Sequence, residues 1–145
     1  SDVVTEMAAL AREEMSHFEM VHKHILDRGY VLGRERKDEY VARVTKFFPK
    51  SPDRDLRLVH RLLIAGLIEA RSCERFKVLS DHIGDPELAD FYRKLMVSEA
   101  NHYTMFLKFA RQYGVREEVD KMWDELLSFE ADVIKDFGTK EHIHG

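Results

Sequence analysis

The chain has 145 residues, 44% of them hydrophobic and 34% charged, which fits one soluble globular domain and excludes a disordered segment. A single cysteine, Cys73, excludes an internal disulfide, and no stretch approaches the roughly 18 apolar residues needed to span a bilayer, so a reducing, cytoplasmic setting is expected. The net charge of −4 excludes a protein that is basic all over, although the segment from Arg34 to Arg61 holds nine basic and five acidic residues and is locally +4.

Three prolines and seven glycines fall between long periodic segments, the pattern of long helices with short punctuation, so an all-α fold is expected. The first helix is expected from about Asp2 to Arg28, with Val3, Met7, Leu10, Phe18, Val21 and Ile25 at spacings of three and four, and it stops at Gly29. A shorter helical pattern near Asp38 to Phe48 precedes Pro49-Lys50-Ser51-Pro52-Asp53, where two prolines forbid continuous helix and mark a crossover. The next helix, about Asp55 to Ile83, carries the run Leu62-Leu63-Ile64-Ala65-Gly66-Leu67-Ile68, which should be buried on most sides. Gly84 is expected to end it in a left-handed turn, and Asp85-Pro86-Glu87 reads as N-cap, first helical residue and first-turn acid of a helix reaching Tyr113. A last helix from about Arg116 to Phe137 ends at Gly138, leaving a polar tail over 138–145.

Residues three apart on a helix share a face, so Glu-x-x-His can present a carboxylate and an imidazole to one metal ion. The chain holds four such pairs, Glu14/His17, Glu19/His22, Glu99/His102 and Glu141/His144, against about 0.8 expected by chance from its composition. An internal repeat selects two of them. At an offset of 85 residues, Leu10 matches Leu95, Glu14 matches Glu99, His17 matches His102, Phe18 matches Tyr103 and Met20 matches Met105. Glu19/His22 and Glu141/His144 lack such a counterpart and read as surface pairs.

Glu69 directly follows Leu67 and Ile68 in the most apolar helix, where an unpaired carboxylate would be costly. It needs a metal, a proton or a cation such as Arg71, Arg75 or an arginine of another helix. It precedes Glu99 by 30 residues, one helix and a turn, which sets the two carboxylates level in an antiparallel pair. Ferritin-like carboxylate sites take one Glu from each of two helices and a Glu-x-x-His from each of the other two. The expected fold is therefore a ferritin-like four-helix bundle with a C-terminal fifth helix, in one domain. Applying the same spacing before Glu14 places the remaining carboxylate upstream of Ser1, on a first helix that the chain lacks. A competing reading completes the site with Glu130, on the apolar line Val119, Trp123, Leu126, Val133 and Phe137, although a salt-bridged or rim role is the one favoured there. Carboxylate oxygens with one imidazole per metal favour iron or manganese over zinc or copper(I).

At Glu69-Ala70-Arg71-Ser72-Cys73-Glu74-Arg75-Phe76, Arg12-Glu13-Glu14-Met15-Ser16-His17-Phe18 and Glu99-Ala100-Asn101-His102-Tyr103 the chain resembles the bacterial tRNA 2-methylthio-N6-isopentenyladenosine hydroxylases. The resemblance covers nearly the whole chain. It implies that Glu14, His17, Glu69, Glu99 and His102 bind two iron ions, with Glu14, Glu69 and Glu99 as the catalytic carboxylates. It further implies O2-dependent hydroxylation of the isopentenyl group beside the anticodon, with an external electron donor and hence an electron-transfer partner. The family's first-helix carboxylate has no match here. Arg34, Arg36, Lys37, Arg43 and Lys46 are the candidates for meeting phosphates of the tRNA anticodon loop, whose bases can be splayed out and stacked. The alternatives are a ferritin-like di-iron peroxidase or iron-oxidising or storage protein, and a metal-free helical interaction domain.

Overall fold

The structure is a computed structural model that describes residues 2–34 and 37–137, and every described element is helical. The residues fall into two compact units, the first ending at Lys37 and the second beginning at Asp38. No described helix is long and apolar enough to cross a membrane.

The first unit is built on α1, Val3–Asp27. Asp2 caps its start by accepting from the Thr5 amide, which satisfies one of the amides a helix N-terminus leaves over. Its end is a Schellman turn: Gly29 adopts φ +77°, its amide bonds Leu26 O, and the Tyr30 amide bonds Ile25 O. Glycine is the residue that enters this left-handed region without a Cβ penalty.

The second unit holds α2 (Glu39–Val44), α3 (Arg54–His82), α4 (Pro86–Tyr113) and α5 (Arg116–Phe137). Asp38, Asp53 and Asp85 each accept backbone amides at the start of the helix they precede, and Pro86 occupies the first turn, where its missing amide costs nothing. Gly84 does not act as expected, because Gly29 alone has positive φ among the described glycines. Instead α3 closes at Ile83, whose extended backbone turns the chain out while its amide still bonds Leu79 O.

The α3 and α4 helices form the main antiparallel pair. Val59, Leu62, Leu63 and Leu67 of α3, and Leu95, Phe106, Leu107 and Phe109 of α4, are all at most 6% exposed. Each fully buried side chain of this kind contributes roughly 1.5–3 kcal/mol. Truncating Leu63, which is fully buried, to Ala would cost about 2–5 kcal/mol through lost transfer energy and the cavity left behind. Stacking of Phe76 on Tyr92, with ring centroids 5.7 Å apart, fixes the register near the connecting turn. The α5 helix buries Val119, Trp123, Leu126, Glu130, Val133 and Phe137, alternating steps of four and three that make one stripe. Tyr40 and Val44 of α2 are both 0% exposed in this unit, where α2 packs on α5.

Candidate metal centre

Glu99 and His102 stand one turn apart on α4 and are 6% and 5% exposed. The antiparallel register sets Glu69 of α3 level with them. One ligand atom from each of Glu69, Glu99 and His102 falls within 4.8 Å of the others, and His102 Nδ1 lies 3.7 Å from Glu69 Oε2. Gathering two carboxylates in a buried place is unfavourable unless a positive charge joins them. Hard oxygens with one imidazole are the donor set of iron and manganese sites, and this cluster fits a metal. Cys73, one turn beyond Glu69, is not among the residues whose ligand atoms converge here, and burial and then the Glu99 and Glu74 charges push its thiol pKa up.

On α1 the repeated pair has the same three-residue spacing. Glu14 Oε1 lies 3.5 Å from His17 Nδ1, and Glu13 Oε1 lies 3.9 Å from His17 Nε2. Glu19 of the next pair is exposed, and His22 stacks on Phe18 with centroids 6.0 Å apart. Glu141/His144 lies outside the described residues.

Glu130 is salt-bridged, as the sequence favoured, but it is buried rather than at a rim. It is 1% exposed, accepts from the Tyr40 hydroxyl at 3.0 Å and pairs with Arg71. Arg71 therefore serves Glu130 and Glu74, not Glu69, which removes Arg71 as the cation considered for Glu69. Residues 69 and 71 point to different sides of α3, because two residues turn a helix well past a right angle. Burial, reinforced by the Glu130 charge, pushes the Tyr40 pKa far above its usual value, so the phenol stays a donor. Burial alone would lower the Arg71 pKa, but the hydrogen bond and charge of Glu130 outweigh it and raise it. Sequence reasoning missed Tyr40; its only trace was an aromatic residue two places after a helix cap.

The basic candidates separate. Arg34, Lys37 and Lys46 are exposed, and Arg36 lies outside the described residues. Arg43 is engaged within the second unit, donating to Asp136 at 2.8 Å with its guanidinium 5.4 Å from the Phe137 ring centre.

The sequence matches the family described as tRNA-(MS[2]IO[6]A)-hydroxylase (MiaE) over residues 1–145. The chain belongs to this family. It is 34% identical over 134 residues to the tRNA 2-(methylsulfanyl)-N(6)-isopentenyladenosine(37) hydroxylase of Pseudomonas putida, covering 92% of this chain and 64% of that protein. The enzyme of the same name from Salmonella typhimurium is 31% identical over 132 residues, covering 91% of this chain and 47% of its own length. The chain thus spans between about half and two thirds of these relatives. A solved structure, protein 43 with aldehyde deformylating oxygenase activity from Synechococcus, superposes with a TM-score of 0.84 and 34% identity over 92% of this chain and 65% of that one. The fold class is accordingly all-α and ferritin-like, as the sequence led one to expect.

Proposed function

We propose that the protein is a non-haem di-iron monooxygenase that hydroxylates the isopentenyl group of 2-methylthio-N6-isopentenyladenosine in tRNA. Family membership and the names of the two relatives support the substrate. The observation that carries the chemistry is the convergence of Glu69, Glu99 and His102 at one level of the α3–α4 pair.

In this reading Glu69, Glu99 and His102 ligate metal together with Glu14 and His17, which repeat the Glu99/His102 spacing on α1. Glu14, Glu69 and Glu99 act as the catalytic carboxylates. Two iron ions held there would supply electrons to dioxygen, and an external donor acting through an electron-transfer partner would restore them. The balance is one C–H bond, O2, two electrons and two protons giving one C–OH bond and water. The carboxylates would hold the ions by charge, His102 would add an imidazole nitrogen as a ligand, and the apolar packing of α3 on α4 would limit bulk water at the reacting centre. Arg34, Arg36, Lys37, Arg43 and Lys46 remain candidate phosphate contacts, with Arg43 needing to exchange Asp136 for a phosphate.

The test is to supply full-length, iron-loaded protein with electrons, O2 and isopentenylated tRNA, and to follow the modified nucleoside by mass spectrometry. Gain of one oxygen atom is expected. Glu69→Ala should lose this product and the near-ultraviolet iron absorption together while keeping tRNA binding. Unchanged tRNA alongside rapid peroxide turnover would replace the hydroxylase reading with a di-iron peroxidase.

A further inference from the structure

The second unit contains a cavity of about 460 Å³ between the segment after α2 and the first half of α3, within the size range of small-molecule sites. Its wall changes character along α3. Lys50, Arg57 and Arg61 line one end, and no carboxylate is among the lining residues. Ile64, Ala65 and Ile68 line the other. Ala65 stands one helical turn before Glu69 on the same stripe, so the apolar end is the one that approaches the carboxylate cluster.

An aromatic surface adjoins the cationic end, where His60 stands between Arg57 and Arg61 on α3. The Phe48 and His60 rings stack in parallel, with centroids 4.2 Å apart and planes within 5°. Burial lowers the His60 pKa, which favours the neutral imidazole. Arg57 donates to Ser51 O and Pro52 O at 2.9 and 2.7 Å, holding the proline-bounded turn that positions Lys50. Along α3, cations and the aromatic stack share the first end, followed by hydrocarbon and then the carboxylates. Arg61 precedes Glu69 by eight residues, about 12 Å along the axis, comparable with a nucleotide bearing a short hydrocarbon substituent on its base.

We propose that this cavity seats one nucleotide of the RNA, with its phosphate on Lys50 and Arg61, its base against the Phe48/His60 stack and an N6-hydrocarbon substituent against Ile64, Ala65 and Ile68. The proposal rests on the hydroxylase reading for the identity of the substituent, and it assigns specificity to residues outside the ligand set. Phosphate contacts hold the nucleotide in register, stacking accepts the base, and the apolar end distinguishes a prenylated from a plain adenine.

The experiment is calorimetric titration of the full-length protein with N6-isopentenyladenosine 5′-monophosphate, adenosine 5′-monophosphate and N6-isopentenyladenosine. Loss of either the phosphate or the hydrocarbon group should weaken binding at least about ten-fold, since each forfeits one end of the cavity. Arg61→Glu should erase the advantage of the phosphate while retaining that of the isopentenyl group. Ile68→Gln should do the reverse, and circular dichroism should be unchanged in both because each side chain is at least partly exposed. Equal affinity for all three probes, or Arg61→Glu binding the monophosphate as tightly as wild type, overturns the proposal. A KM for tRNA hydroxylation unchanged by Arg61→Glu and Ile68→Gln would also overturn it while leaving the hydroxylase reading intact. Probe binding with the stated dependences but no tRNA product would sustain the cavity and sink the hydroxylase reading instead.

Discussion

Two buried acidic places in the second unit differ in what surrounds the carboxylate. At Glu130, Tyr40 from α2 and Arg71 from α3 meet one carboxylate from α5, giving it a cation and a hydroxyl donor. Between α3 and α4, Glu69 and Glu99 are brought together around His102, adding a second acid where the first place adds a base. The first arrangement is nearly neutral and ties three helices together. The second concentrates negative charge in the centre of the best-packed helix pair, which a fold built only for stability would have no reason to do. That contrast separates a structural ion pair from a candidate metal site although both are built on glutamates.

The comparison is most sharply tested by removing one carboxylate from each place. Glu99→Ala should reduce hydroxylation by more than about a hundred-fold, since loss of even a residue supporting a metal ligand costs 10–100-fold. The apo protein should unfold no more easily than wild type in a denaturant titration, because the mutation relieves repulsion with Glu69. Glu130→Ala should have the opposite signature, destabilising the protein by about 1.5–3 kcal/mol because Tyr40 loses this acceptor and Arg71 is left with Glu74 as its partner, while activity per bound iron is unchanged. This is less than an isolated buried charge would cost, because Arg71 keeps Glu74 and is 29% exposed to water. If Glu130→Ala instead removed iron, the distinction between the two places would collapse.

Much of this was legible in the sequence because it depends on local rules. The caps at Asp2, Asp38, Asp53 and Asp85 place the helix starts within a residue or two of expectation, since a cap is a short-range hydrogen-bonding event. The 30-residue step from Glu69 to Glu99 foretold their convergence, because a helix pair joined by a tight turn fixes level by counting. What could not be read was which cation meets which anion. Arg71 stands two residues from Glu69 but serves Glu130, 59 residues away, a choice set by how α3 faces α5. The role of Tyr40 was hidden for the same reason, its partner being 90 residues distant. Gly84 misled because glycine permits a left-handed turn without requiring one.

A smaller effect refines the structural half of the contrast. Tyr40→Phe removes one donor from Glu130 while Arg71 stays, so stability should fall by about 1.5–3 kcal/mol, the range for a hydrogen bond to a charged group. Double-mutant cycles with Arg71→Met should give a coupling of at least about 0.5 kcal/mol, because both residues act on the same carboxylate. Additive losses would mean that Tyr40 contributes by packing alone.

The most direct test is anaerobic titration of full-length protein with Fe(II), with the stoichiometry read from bound iron after desalting, in wild type and in Glu99→Ala. The account predicts two ions per wild-type chain and at most one, weakly held, in the variant. Wild-type protein that binds no iron, or a variant that retains both ions at wild-type affinity, would contradict it.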